Sequence, residues 1–251
     1  MKAYLLAAGF ATRMFPLTES VAKPLLEVAG KPILSHILAR VEALPGLSEI
    51  IVIGNHRFAD SLLAWSRSVT CPVPLRVLDD GANHVDERLG AIGDLAFALE
   101  AAPSGGEDLL VVAGDNLLDF DLEPLQRAFE AEGKPLLITR QVEHAGGPSP
   151  YNDVDVDDQG QVRSFREKPE RPSGNLSAIA LYFLTPETDE LLGRYLAEGG
   201  NPDAPGHFIA WLVSVRPVAA RPIPGGWFDI GDLALLEEAR GGFPVPKETD
   251  S

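Results

Sequence analysis

Apolar residues fall into short continuous runs along this chain rather than into long stripes. Five runs have the length of buried strands: Ala3 to Ala7, Ile50 to Ile53, Leu75 to Leu78, Leu109 to Ala113 and Leu136 to Thr139. Helix-length stretches lie between them: Pro32 to Leu44, Arg57 to Ser68, Gly90 to Ala101 and Asp121 to Glu132. The first of these has Pro at its start and Pro45-Gly46 behind it, the usual punctuation of a helix. Buried strands alternating with helices predict an α/β chain, with a parallel sheet covered on both faces.

After Gly146 the pattern changes. VDVDDQGQVRSF, within Asn152 to Phe165, reads as a hairpin turning at DDQG. Leu176 to Leu184 reads as a further strand, and Glu187 to Ala197 and Phe208 to Val215 as helices. Arg216 to Pro222 and Trp227 to Ile230 are short extended pieces, and Asp232 is placed to cap a last helix. The second half is a mixed sheet grafted onto the first. The weakest seam is the GGPSP loop, Gly146 to Pro150, and the tail from Gly241 to Ser251 is expected to fray.

Composition narrows the function classes. Hydrophobic residues make up 45% of the 251, enough for a sizeable core. No apolar run approaches the ~20 residues of a membrane helix. The opening MKAYLLAAGF soon meets Arg13 and Pro16, so it reads as a first strand rather than a leader. One cysteine, Cys71, allows no internal disulfide and no cysteine metal cluster, and a cytoplasmic setting is expected. The net charge of −16 argues against nucleic-acid and membrane partners. An anionic small-molecule substrate would have to be held locally, by Lys, Arg, backbone N–H groups and a divalent cation.

One place for such a substrate is the end of the first strand, where Ala7 runs into Ala8-Gly9-Phe10-Ala11-Thr12-Arg13. Small residues after a strand let the backbone approach a ligand and aim N–H groups at it. In an open α/β sheet that crevice is where ligands sit. Arg13 can grip phosphate oxygens with its forked guanidinium, and Lys23 can add a point charge. Neither common phosphate motif is present: there is no G-x-x-x-x-G-K-[ST], and Ala11 breaks G-x-G-x-x-G.

The stretch LAAGFATRMFPLTESVAKPLLEVAGKPIL resembles the signature of the sugar-phosphate nucleotidyltransferases, LAAGxGTRxxPLT…KPLLxVxGKP. The resemblance implies a Rossmann-like three-layer sandwich, with a mostly parallel central mixed sheet and a small β-rich insertion on the acceptor side. It divides the chain into a nucleotide-binding half, about 1–145, and a sugar-phosphate-binding half, about 146–240. The implied reaction joins the nucleoside monophosphate part of an NTP to a sugar 1-phosphate and releases pyrophosphate. UTP or dTTP is the favoured nucleotide, without the base being fixed. Ala7, Ala8, Gly9, Ala11, Thr12, Arg13 and Lys23 would hold the nucleotide, with Gly90 of LGAIGDL against the base. Asp115, in the GD motif behind LLVVA, and Asp229, in GGWFDIGD, would hold Mg²⁺, a hard cation suited to carboxylate and phosphate oxygens. Glu167 and Lys168 of an EKP motif would hold the sugar phosphate.

Several residues depart from the family pattern. Ala11 stands where Gly is usual and is expected to narrow the phosphate loop and alter nucleotide binding. Asn152 replaces the Gly of a Tyr-Gly step, and Ala180 replaces the Gly of a GIY or GLY strand, both at the acceptor pocket. Other acids have plainer readings. Asp119 and Asp121 are expected to begin a helix, and Asp94 to cap one. Asp153, Asp155 and Asp157 alternate with valines as the solvated face of a strand, because Asp158 and Ser164 break a calcium-loop pattern. His36 is expected to pack or to lie on the surface, and the tryptophans to sit in the core or at a rim. No H-E-x-x-H or G-x-S-x-G occurs, and no hexapeptide repeat suggests an appended β-helix. Two rival readings remain: a silent subunit that senses nucleotide sugars, and the same chemistry on a non-sugar phosphate. Self-association stays open.

Overall fold

A computed structural model describes residues 1–143 and 147–244. The chain order is β1 (Lys2–Leu6), β2 (Glu27–Val28), β3 (Lys31–Pro32), α1 (Ile33–Val41), β4 (Glu49–Gly54), α2 (Ala59–Ser68), β5 (Leu75–Asp79), α3 (Ala91–Ala101), β6 (Leu109–Ala113), β7 (Asn116–Leu118) and α4 (Glu123–Glu132). It continues with β8 (Leu136–Gln141), β9 (Asp153–Val156), β10 (Val162–Arg166), β11 (Leu176–Leu184), α5 (Thr188–Ala197), α6 (Pro205–Val215), β12 (Ala219–Pro222), β13 (Trp227–Asp229) and α7 (Leu233–Gly242). No helix among the described residues is long and apolar enough to cross a membrane.

Seven strands form the central sheet, in the order β12-β8-β11-β6-β1-β4-β5. β1 pairs in parallel with both β4 and β6, and β4 with β5. β11 runs antiparallel between β6 and β8, so a strand from the second half lies inside the sheet begun by the first. Alternation along β1 shows how the layers form. Ala3 and Leu5 face one side, where α1, α2, α4 and α7 supply Ile37, Leu62, Phe129 and Leu236. Tyr4 faces the other, where α3, α5 and α6 supply Leu95, Leu192 and Phe208. The result is the expected α/β three-layer sandwich with a mostly parallel mixed sheet.

The predicted elements are present, with shifted ends. Pro32 is the N-cap of α1, where its fixed φ suits the helix start, and the helix stops at Val41. The stretch from Arg57 divides into a single 3₁₀ turn, His56–Phe58, and then α2. The hairpin is β9 and β10, which pair only with each other in a separate small sheet, with a register shift between Val162 and Ser164. α7 holds Gly241 and Gly242, so the expected frayed tail does not begin at 241; residues 245–251 lie outside the described residues, as does Gly146 at the expected seam.

Two acids contradict the sequence reading for tertiary reasons. Asp153 is 2% exposed, not part of a solvated face. It accepts hydrogen bonds from Ser173 N (2.9 Å), Ser173 Oγ (2.8 Å), Gly174 N (3.2 Å) and Arg166. Burial pushes its carboxyl up, but these donors outweigh burial and hold it below the usual range. Asp119 does not begin α4. Its carboxylate accepts from Gly226 N, and its own N–H donates to Gly226 O (3.2 Å). Asp121 instead pairs with Arg40 at 2.8 Å on the surface, and α4 starts from Leu122 without a side-chain cap.

Candidate active site at the carboxyl ends of β1 and β6

Chain order reverses at β1, between β6 and β4, and a cleft of about 450 Å³ opens at the carboxyl ends of these strands. The phosphate loop forms its floor. Ala7 N donates to Ile53 O and Gly114 N to Leu6 O, both at 2.8 Å, so the loop after β1 is laced to strands on either side. Gly114 is required by this approach: a Cβ there would lie 2.7 Å from Leu6 O. Asp115 therefore enters the cleft beside the loop.

β13 brings the second carboxylate. It pairs antiparallel with β7, placing Asp229 opposite Asn116, and Ile230 N donates to Asp115 O at 3.2 Å. The Asp119–Gly226 clasp holds the start of that strand, and a Cβ on Gly225 would meet Asp119 Oδ1 at 2.6 Å and force the clasp to shift. Lys23 Nζ reaches Asp115 Oδ2 at 2.6 Å. Burial, and then the nearby Asp115 charge, push Asp229 up to about 6, against the opposing pull of Lys23.

Two adjacent carboxylates, one destabilised by the other, fit a divalent cation. No group of three or more His, Cys, Asp or Glu among the described residues would enclose a metal by itself. Two protein carboxylates with further oxygens from substrate phosphates are the arrangement Mg²⁺ commonly takes.

The cleft gathers most of the candidate residues. Ala7, Ala8, Gly9, Ala11, Arg13 and Lys23 line it from the first loop, and Asn152, Glu167, Lys168 and Ala180 from the second half. Thr12 does not line it; it begins a 3₁₀ turn and is exposed. Arg13, Lys23, Arg88, Arg140 and Lys168 bring five cations to this one cleft in a chain of net charge −16. Five carboxylates, Asp94, Asp115, Glu167, Asp203 and Asp229, line the same cleft, so its cations act as individual contacts rather than as a net positive field.

Ala11 adopts φ 48° and ψ 43°, left-handed backbone that a glycine takes without cost. Its carbonyl accepts from Met14 N (2.9 Å) and Thr18 Oγ1 (2.8 Å), and these bonds fix the bend. Ala11→Gly is expected to keep or raise stability, by up to about 1 kcal/mol, because relief of strain competes with a more flexible unfolded chain. Thermal unfolding checks this. A loss above about 1 kcal/mol would mean that the Ala11 methyl packs favourably.

Gly90 lines the cleft, and its lack of a side chain also lets a later loop approach it closely. With φ 82°, a Cβ would lie 2.5 Å from Pro202 O and 2.6 Å from Asp203 Cα. That close approach lets Asp203 O accept from Ala91 N (2.9 Å) and Pro202 O from Ile92 N (2.9 Å). The first amides of α3 are thus occupied by a loop from the second half.

Asp94 does not cap α3. It is 6% exposed, and its Oδ1 has no hydrogen-bond partner. Burial, and then the neighbouring Asp80, push it up to about 8, so the pair retains a proton. Asp80, also raised by burial, accepts from Ala82 N at 2.7 Å. The sign of the linkage follows. Unfolded, Asp94 ionises near pH 4; folded, it keeps its proton to about 8. The folded state binds more protons in that window, so stability falls as pH rises from about 4 to about 8. Asp94→Asn is expected to stabilise the protein by roughly 1–3 kcal/mol at pH 8 and by little at pH 4. Equal melting temperatures at pH 8 would contradict this.

On the acceptor side, Asn152 serves the fold as well as the cleft. Its amide accepts from Ala178 N (2.7 Å) and donates to Ala178 O (2.9 Å), where the register of β11 against β8 shifts. Ala180 lines the cleft, and its carbonyl accepts a long bond from Asn116 Nδ2 (3.4 Å). Glu167 is half-buried against Gly206 at the start of α6, and desolvation raises its carboxyl despite Lys168. Lys168 has φ 41°, and its side chain is 63% exposed. Arg140, which sequence reasoning missed, lines the cleft between the rings of Tyr151 and Trp227. His36 is buried, with Nε2 2.8 Å from Val28 O, and serves packing.

A family model described as nucleotidyl transferase matches residues 2–242. The chain is 29% identical over 250 residues to a glucose-1-phosphate thymidylyltransferase of Streptomyces antibioticus, covering 95% of this chain and 65% of that one. It is 33% identical over 235 residues to mannose-1-phosphate guanyltransferase beta-A of Xenopus laevis, covering 92% and 61%. It therefore spans a little under two thirds of these curated relatives. A solved UDP-glucose pyrophosphorylase complexed with UDP-glucose superposes with a TM-score of 0.75 at 18% identity, covering 96% of this chain and 97% of that one. At that identity the likeness is one of fold.

Proposed function

The chain belongs to the nucleotidyl transferase family, and from that premise we propose that it joins a nucleoside monophosphate, taken from an NTP, to a sugar 1-phosphate. One observation carries the reading: Lys23 Nζ lies 2.6 Å from Asp115, whose charge raises the nearby Asp229, in a cleft also lined by Arg13 and Lys168. Such a cleft can hold a triphosphate on one side and a second phosphate on the other.

An acceptor phosphate oxygen attacks the α-phosphorus of the NTP in line. The bond from that phosphorus to the bridging oxygen breaks, and pyrophosphate leaves with the electron pair. The attacking oxygen is already ionised at neutral pH, so no general base is required. Catalysis rests on positioning and charge neutralisation. The loop from Ala7 to Ala11 lets the triphosphate approach the backbone, and Arg13 and Lys23 hold its oxygens. Asp115 and Asp229 would hold Mg²⁺, which when bound would supply charge neutralisation at phosphate oxygens. Glu167 and Lys168 hold the acceptor.

The two relatives named above differ in base and sugar, so the test is a panel. UTP and dTTP are favoured, and GTP and ATP are included with glucose 1-phosphate and mannose 1-phosphate. Pyrophosphate release that requires both an NTP and a sugar phosphate is expected. Release without an acceptor, or from no pair, would count against the reading.

A further inference from the structure

Arg140 stands near the end of β8, opposite Ser177 of β11. Its guanidinium carbon lies 4.2 Å from the ring centroid of Trp227 and 4.9 Å from that of Tyr151. Two aromatic rings hold the planar group, which fixes its orientation and lowers the entropy lost when it binds a ligand. Two nearby arginines hold carboxylates, Arg166 with Asp153 and Arg221 with Glu132. Arg140 contacts aromatic faces instead, and no ion pair or side-chain hydrogen bond engages it among the described residues. Its donors remain available to the cleft it lines.

Its location selects the ligand. Arg13 and Lys23 follow β1, whereas Arg140, Tyr151, Asn152 and Lys168 reach the cleft from β8 and the segments after it. Trp227, on which Arg140 rests, lies two residues before Asp229 on β13. Arg140 is therefore at the boundary between the acceptor wall and the carboxylate pair. An acceptor phosphate must bridge that boundary, since one of its oxygens attacks phosphorus held at the carboxylates. Lys168 offers a mobile point charge with no directional preference.

We propose that Arg140 is an acceptor-positioning residue, a clamped guanidinium that binds two oxygens of the acceptor's phosphate monoester and leaves the third to attack. This rests on the nucleotidyl-transfer reading. The reaction keeps its balance: one phosphorus–oxygen bond forms, one breaks, pyrophosphate carries away the electron pair, and Arg140 exchanges no proton. The planar fork suits a phosphate monoester and distinguishes it from the neutral sugar.

The test compares wild type with Arg140→Gln and Arg140→Lys. With glucose 1-phosphate, or whichever sugar phosphate the wild type uses, the acceptor KM should rise roughly 30-fold in Arg140→Gln and about 10-fold in Arg140→Lys. The NTP KM should stay within about 2-fold. An equal rise in the NTP KM, an unchanged acceptor KM, or wild-type behaviour of Arg140→Lys would overturn the assignment. Should Arg140→Gln fail to fold, Tyr151→Leu keeps the charge and loosens the clamp. It should raise the acceptor KM several-fold, roughly 3–10, and an unchanged value overturns the proposal. If the wild type releases no pyrophosphate from any pair, the nucleotidyl-transfer reading fails by itself. Calorimetric binding of inorganic phosphate then decides the inference: loss in Arg140→Gln supports it, and equal binding overturns it.

Discussion

Asp229→Asn is expected to lower pyrophosphate release by roughly 10³-fold or more, the several kcal/mol that a bound metal contributes to a phosphoryl-type transition state. The same substitution should leave the unliganded protein at least as stable at pH 7. Asp229 is raised to about 6 by burial and then by Asp115. An unfolded Asp ionises near pH 4, so the folded state holds a proton over that window and loses stability as pH rises from about 4 to about 6. Asn carries no such penalty and preserves the shape that pairs with Asn116 across β7. Activity and melting temperature should therefore move apart. Asp115→Asn should lose turnover to a similar degree. Near-wild-type turnover in either variant would sink the metal assignment, and a fall in both activity and stability would make the residue structural.

Lys23→Ala is expected to cost about 10²–10³-fold in turnover, comparable with removing one preorganised charge-stabilising group. Lys23 is positioned by a tight 3₁₀ turn, Lys23–Leu25, and its side chain is only 12% exposed. In the unliganded protein its ammonium neutralises Asp115 at 2.6 Å. Removing it leaves Asp115 and Asp229 facing each other without that cation. Mg²⁺ should therefore bind the variant as well as, or better than, wild type, while NTP affinity falls. Calorimetry with each alone separates the effects. Weaker Mg²⁺ binding with unchanged NTP binding would recast Lys23 as a residue that orients Asp115.

The sequence-level reading worked where a residue's position follows from its own element. A small-residue turn after a buried strand must emerge at the end of that strand, and so Ala7 to Ala11 and Asp115 appear at adjacent strand ends. Lys168 and Asp229 were placed by motif, and the fold brings both to the same cleft. Thr12 is not among the cleft-lining residues: the chain bends at Ala11, and the next side chain is exposed. The remaining misses depend on partners far along the chain. Asp119 meets Gly226, 107 residues away, and Asp153 binds a loop 20 residues later. Asp94 is read through Asp80, on a different strand end. Arg140 ends an apolar strand, where local pattern suggests only a solvated terminus; its clamp needs Tyr151 and Trp227. Gly90 was singled out by motif as a residue against the base; its positive φ and the close approach of Pro202 could not be read from the local sequence.

In the proposed reaction the acceptor phosphate itself attacks the α-phosphorus. Supplying a sugar 1-phosphate with its three non-bridging phosphate oxygens labelled with ¹⁸O tests this directly. Mass spectrometry of the products should find all three labelled oxygens in the nucleoside diphosphate sugar, one now bridging the two phosphorus atoms, and none in the pyrophosphate. Label in the pyrophosphate, or pyrophosphate formed without a labelled nucleotide sugar, would contradict the account.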